Sequence, residues 1–168
     1  MFTYFLMILI IVLGFIYNLW VSKRDAKVKY IKRRDKTINK LKDKGYKISK
    51  RWDCNAISIF VNEDKKDLGF LVMAWRKDTI HHIAIKDIKN IEIETIGLRK
   101  KSKIKKFLTE ICLNIETIQG NYILRTLYLK GFGIKNNSKE AIYAKNCAEE
   151  IYNYVKKIKN KSWFIIKK

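Results

Sequence analysis

Residues 2–21 read FTYFLMILIIVLGFIYNLWV, twenty positions without a charged side chain. At a helical rise of about 1.5 Å per residue this run measures about 30 Å, the hydrocarbon thickness of a bilayer. Thr3 and Asn18 are its distinctly polar residues, and Tyr4, Tyr17 and Trp20 stand toward its ends, where amphipathic rings favour the membrane interface. Lys23 and Arg24 then close it. Lipid offers no partner to backbone N–H and C=O groups, so the expected conformation is a helix. A cleaved secretory signal fits poorly: no cation precedes the apolar run, and no small-residue cleavage pattern follows in YNLWVSKRD. A helix buried in a soluble core would rarely carry Ile and Leu on every face over such a length.

Outward from this segment the charge changes abruptly. Between Ser22 and Arg51 lie fourteen cations, Lys23, Arg24, Lys27, Lys29, Lys32, Arg33, Arg34, Lys36, Lys40, Lys42, Lys44, Lys47, Lys50 and Arg51, against Asp25, Asp35 and Asp43. Lys and Arg beside a spanning helix are retained on the cytoplasmic side, so the amino terminus is expected outside and the remainder of the chain in the cytoplasm. The expected localisation is a single-pass protein of the cell membrane. The expected division is a transmembrane helix at 1–21, a basic juxtamembrane stalk at 22–45, a folded domain at 46–160 and an amphipathic tail at 161–168. Val28, Ile31, Ile38 and Leu41 make only a broken stripe in the stalk, too irregular for a heptad. Cations near an anionic leaflet contribute about 1 kcal/mol each, fading over a Debye length of about 8 Å. Beyond about Lys40 the run reads as a solvated topology signal.

The whole chain of 168 residues has 37 Lys and Arg, 16 Asp and Glu and a net charge of +21; 48% of it is hydrophobic, so it can bury a core and is not disordered. The length suits one small domain beside an anchor. Cys54, Cys112 and Cys147 are too few and too scattered for a disulfide framework or a zinc cluster, and they read as buried thiols in a reducing compartment.

After Gly45 the pattern turns to short strands. These are Tyr46–Ser49, Ala56–Val61, Leu68–Trp75, Thr79–Ile85, Ile91–Ile96, Ile111–Ile118 and Tyr122–Leu129, with a turn over 62–66, a loop from Gly97 to Lys106 and a hairpin turn at Gln119-Gly120-Asn121. A final helix is signalled by Ala141, Ala144, Ala148, Ile151, Tyr152, Val155 and Ile158, with Asn137 as its N-cap and Glu140 three residues on. The expected fold is thus one transmembrane α-helix plus a small α+β domain, a roughly seven-stranded antiparallel barrel or sandwich capped by a C-terminal amphipathic helix.

Two stretches carry a family likeness. GYKISKRWDCNAISIFVNEDKKDLGFLV, residues 45–72, resembles the opening strands of a bacterial pleckstrin-homology-like (PH-like) family found in small membrane-anchored proteins. IAIKDIKNIEIE, residues 83–94, is similar to that family's strand, Asp-Ile, strand-with-Glu signature: Asp87 holds a turn, Ile88 pins it and Glu92 points outward. The resemblance implies a binding module without catalysis. Its first hairpin, where some PH domains bind phosphates, puts forward Lys47, Lys50 and Arg51.

No catalytic residues and no cofactor are put forward. His81 and His82 are adjacent, so on a strand they face opposite ways and cannot share a metal. The glycines match no phosphate-binding loop, and no nucleophile elbow is present. The expected partners are the bilayer and either anionic headgroups or another membrane protein. The candidate contacts are Lys23, Arg24, Lys27, Lys29, Lys32, Arg33 and Arg34 in the stalk, Lys47, Lys50 and Arg51 at the hairpin, and Arg99, Lys100, Lys101 and Lys103 in the basic loop. Trp163–Ile166 would dip into the interface or fray. A membrane-tethered nucleic-acid binder is the alternative, motivated by the remaining net charge of +10 over residues 52–168, but no helix-turn-helix or RNP-like motif supports it.

Overall fold

A computed structural model describes residues 2–54, 57–73, 77–98, 107–129 and 133–166, without the side chains of 2, 3, 5, 98 and 161–166. Two compact units emerge, residues 1–46 and 47–168.

The first unit is a single helix, α1 (Phe2–Asp43). It is long and apolar enough to cross a membrane. Its 42 residues correspond to about 63 Å, twice the apolar run, so the basic segment continues the same helix without a break. The described apolar side chains from Tyr4 to Trp20 stand exposed, whereas Ile38 in the second half of the helix is fully buried. Asn18 sits among them but donates its amide to the Gly14 carbonyl at 2.9 Å, so the polar group is satisfied within its own helix. Arg24 lays its guanidinium 5.7 Å from the Trp20 ring one turn earlier. The helix stops at Gly45, whose φ of 81° only glycine adopts cheaply. The amides of Gly45 and Tyr46 return to the carbonyls of Lys42 and Leu41, the paired bonds of a Schellman cap.

The second unit is α+β. Sheet A runs β1 (Lys50–Asp53), β2 (Ser58–Asn62), β3 (Asp67–Val72) and β4 (Thr79–Ala84), each antiparallel to the next. A one-turn 3₁₀ helix, Ile85–Asp87, then leads into sheet B, formed by β5 (Ile88–Leu98), β6 (Phe107–Thr117) and β7 (Asn121–Tyr128), with β8 (Ile134–Lys135) on β6. Helix α2 (Lys139–Ile166) follows and packs on β5, β6, β7 and the 3₁₀ turn.

The expected α+β layout with a final helix is present, while the expected roughly seven-stranded barrel or sandwich does not take the form of a single seven-stranded barrel. Among the described residues eight strands divide between two sheets, because the 3₁₀ turn at Ile85–Asp87 redirects the chain and β4 does not pair with β5. The Asp87-Ile88 reading locates that bend: Ile88 is buried, and the Asp87 carbonyl accepts the Ile118 amide at 3.1 Å.

Three boundaries also move. The first strand is Lys50–Asp53 rather than Tyr46–Ser49, since the Schellman cap uses Gly45 and Tyr46, and the Val61 carbonyl draws only the Ser49 amide into the ladder. The helix is capped by Ser138, not Asn137: the Ser138 hydroxyl accepts the Ala141 amide at 3.2 Å. Strands β5 and β6 are eleven residues each, longer than their alternating centres, and bulges at Ile88/Asn90 and Ile96/Gly97 absorb the irregular ends. The loop expected at 97–106 lies outside the described residues from 99 onward.

Both sheets and α2 feed one core. Trp52, Ile59, Val61, Leu68 and Phe70 come from sheet A, Ile91, Ile111, Leu113, Ile115 and Leu124 from sheet B, and Ala141, Ala144, Ala148, Ile151 and Val155 from α2. Alanines at the start of the helical stripe let its backbone approach the sheets, and the larger residues fill the far end. Across β2 and β3, Phe60 pairs with Gly69, and a Cβ on Gly69 would collide with the fully buried Phe60 ring.

Substituting Gly69→Ala should therefore lower the urea-unfolding free energy by about 1–3 kcal/mol, the usual cost of forcing a methyl into a packed site.

Candidate functional site

In α1 the cations Lys23, Arg24, Lys27, Lys29, Lys32, Arg33 and Arg34 all sit on one continuous helix. At 100° per residue they spread around the whole axis and form a collar, not a stripe. Six of the seven stand exposed, as suits contact around the base of a helix leaving a membrane, whereas the Arg34 side chain is only 12% exposed. A collar suits poorly the lining of a single groove.

At the first hairpin of the second unit, the structure gives every sequence-predicted cation a carboxylate. Lys47 Nζ lies 3.0 Å from Asp64 Oδ2, with both side chains well exposed. Lys50 Nζ lies 3.6 Å from Glu150 Oε2 on α2, and also 4.9 Å from the Trp52 ring centre and 5.1 Å from that of Tyr154. Arg51 Nε donates to Asp53 Oδ1 at 2.8 Å, and the Ser58 hydroxyl donates to the same oxygen at 2.7 Å. Three cations against three carboxylates cancel locally, so a phosphate approaching this hairpin meets little net attraction.

Of the three cations Lys50 reaches α2, where it joins a seam between β1 and α2. The Trp52 indole donates to Glu150 at 3.0 Å, and Tyr154 sets its ring edge-on to Trp52 at 5.3 Å. The Tyr154 hydroxyl donates to Glu63. The Tyr143 hydroxyl donates to the Asp53 carbonyl at 3.1 Å. Burial, with the bond to Glu63, pushes the Tyr154 phenol up to about 12. Tyr143 is also raised to about 12, chiefly by burial.

A second basic feature escaped sequence reasoning. A groove of about 380 Å³ runs between the start of β5 and the far half of α2, lined by Ile88, Lys89, Asn90, Ile91, Val155, Lys156, Lys159 and Asn160, three lysines and no carboxylate. Lys159 Nζ donates to the Lys89 carbonyl at 2.9 Å, and Lys156 leans on the Tyr152 ring at 4.4 Å. Residues 89 and 156–159 are far apart in sequence and meet only through helix-on-sheet packing, so no local motif announces them. The basic-loop residues Arg99, Lys100, Lys101 and Lys103 lie outside the described residues.

The histidines face opposite sides of sheet A. His82 Nδ1 is 2.7 Å from Asp67 Oδ2, and its ring stands edge-on to Phe60, whereas His81 stacks on Phe70 at 5.0 Å. Among the described residues no group of three or more His, Cys, Asp or Glu side chains could hold a metal ion. All three cysteines are buried free thiols. On sheet B, burial followed by the Glu110 carboxylate pushes the Cys112 thiol up to about 11.

No family model, no curated protein and no solved structure matches the chain.

Alkaline titration tests the seam. With folded values raised above the ordinary 10, Tyr143 and Tyr154 keep their protons in the fold after the unfolded chain has lost its own. The folded state then binds more protons between about pH 10 and 12, so their contribution is complete below that window and is lost as pH rises through it. Urea midpoints at pH 9 and 11 should fall further for the wild type than for Glu63→Gln, which removes the carboxylate that holds the Tyr154 proton; equal losses would dissociate Glu63 from the effect.

Proposed function

We propose that the chain is a single-pass, membrane-anchored binding module without catalytic activity, contacting anionic lipid headgroups or another membrane protein at the cytoplasmic face. The observation that carries this reading is α1, in which twenty uncharged residues and the cationic collar share one unbroken helix. A cell-membrane location with the amino terminus outside follows from the cations lying on the carboxyl side of the apolar run. Membership in the PH-like family is part of the proposal, supported by the resemblance over residues 45–72 and 83–94 and by the order of elements: antiparallel strands first, an amphipathic helix last.

Distance along the helix ranks the contacts. If the apolar run ends at the interface near Val21 and α1 leaves along the normal, Lys23, Arg24, Lys27 and Lys29 lie within about 12 Å of it, while Lys32, Arg33 and Arg34 lie about 16–20 Å out. With screening over about 8 Å, the first four dominate headgroup attraction. Lys47, Lys50 and Arg51 would first have to leave Asp64, Glu150 and Asp53.

Two measurements bear on this function. Full-length protein should stay in the membrane pellet after alkaline carbonate washing, and a reporter fused at the carboxyl terminus should be active only in the cytoplasm; release by carbonate, or activity only outside, would overturn the anchor or its orientation. Residues 22–168 should sediment with vesicles containing phosphatidylserine and not with neutral ones. Exchanging Lys23, Arg24, Lys27 and Lys29 for Gln should weaken that binding at least tenfold, more than exchanging Lys32, Arg33 and Arg34. Equal retention on both vesicle types would remove the lipid reading in favour of a protein partner.

A further inference from the structure

The β1–α2 seam holds two sulfur atoms that the proposed membrane role does not use. Cys54 directly follows β1, with its amide donating to the Ile57 carbonyl at 2.9 Å. Cys147 lies on the inward face of α2, in line with Ala144, Ala148 and Ile151. Both are buried in the common core, 2% and 6% exposed, and the Cys54 thiol hydrogen-bonds the Cys147 sulfur. The approach is fixed from both sides. One turn before Cys147, Tyr143 bonds the backbone of Asp53; three residues after it, Glu150 accepts the Trp52 indole. Residues 52, 53 and 54 are thus matched to residues 150, 143 and 147, and each contact restrains the next. A disulfide between them joins the sulfurs at about 2 Å.

We propose that Cys54 and Cys147 are a reversible dithiol–disulfide modification site, oxidised by hydrogen peroxide, that fastens β1 covalently to α2.

The surroundings divide the labour between the sulfurs. Hydrogen bonds from the Cys54 thiol and then the Tyr143 hydroxyl bring Cys147 down to about 7, against burial and against the carboxylates of Glu150 and Asp53. The Tyr143 hydroxyl has one proton, given either to the Asp53 carbonyl or to this sulfur. Lowering the pKa favours the Cys147 thiolate, the nucleophilic form, over that of an ordinary thiol. Its sulfur attacks one peroxide oxygen: an S–O bond forms, the O–O bond breaks, and the departing hydroxide takes up the proton that Cys147 had released, giving water. The Cys54 sulfur then attacks the sulfenic sulfur; the S–S bond forms, the S–O bond breaks, and the hydroxyl leaves with the Cys54 proton as a second water. Two thiols lose two electrons to one peroxide, and two equivalents of a small thiol reverse the change. Cys112, held protonated in sheet B, is the internal control.

The test uses full-length protein in detergent micelles, treated with hydrogen peroxide at pH 7, alkylated under denaturing conditions, digested and mapped without reduction. A Cys54–Cys147 cross-linked peptide, lighter by about 2 Da than its two thiols and lost on treatment with dithiothreitol, is expected, with Cys112 alkylated. Cys54 and Cys147 both still alkylated, or a cross-link to Cys112 or between chains, would overturn the proposal. In Cys54→Ser a sulfenic acid that dimedone traps should accumulate at Cys147, and its absence from folded protein counts against the assignment. Should that variant fail to fold, the wild-type rate decides: cross-linking should slow about fivefold from pH 7 to 6 with the thiolate fraction, and a flat profile would refute the mechanism.

Discussion

An antiparallel sheet with one apolar face must hide that face from water, and in residues 47–168 both sheets turn theirs into one common core that α2 covers on the side of sheet B. Apolar residues of sheets A and B converge with Ala141, Ala144, Ala148, Ile151 and Val155 into one cluster. Among the described residues neither sheet closes on itself, and without α2 the face of sheet B that it covers would open to water. Each large aliphatic side chain buried there is worth roughly 1.5–3 kcal/mol, and the alanines contribute by letting the backbones come close. Helix-on-sheet burial is therefore the constraint from which the other features follow.

One consequence is the fate of charge. Where α2 meets β1, the cations of the first hairpin are drawn into structural work: Lys50 is shared between Glu150 and two aromatic rings, and Arg51 is held by Asp53. Where α2 meets β5, packing gathers Lys89, Lys156 and Lys159 along a groove with no carboxylate in its lining. A chain of net charge +21 thus carries its basic character unevenly, spent at one edge of the helix and assembled at the other. The same seam that consumes Lys50 also brings two thiols together, because the bonds that flank them fix the spacing of strand and helix.

Helix α1 obeys a different rule. In its first half the Asn18 amide is satisfied by the Gly14 carbonyl, and its second half carries the cations together with a half-buried row at Ile31, Arg34, Ile38 and Leu41. Its end is set by backbone geometry, with Gly45 taking the left-handed conformation that a Schellman cap requires.

Composition and periodicity alone determined the apolar anchor-length helix, the basic run that follows it, the antiparallel strands after Gly45, the bend at Asp87-Ile88 and the amphipathic final helix. Each is a local property: a stretch without charge, an alternation of two, a recurrence of three or four. The structure alone decided which strands share a sheet, that the strands divide four and four and do not close, and that Ser138 caps α2. It also decided which carboxylate each hairpin cation meets. Pairings such as Lys50 with Glu150, or Cys54 with Cys147, join residues more than ninety positions apart, and no local pattern encodes them. They exist because packing two sheets and one helix into a common core leaves few ways to seat the helix, and the seat chosen brings those particular side chains face to face.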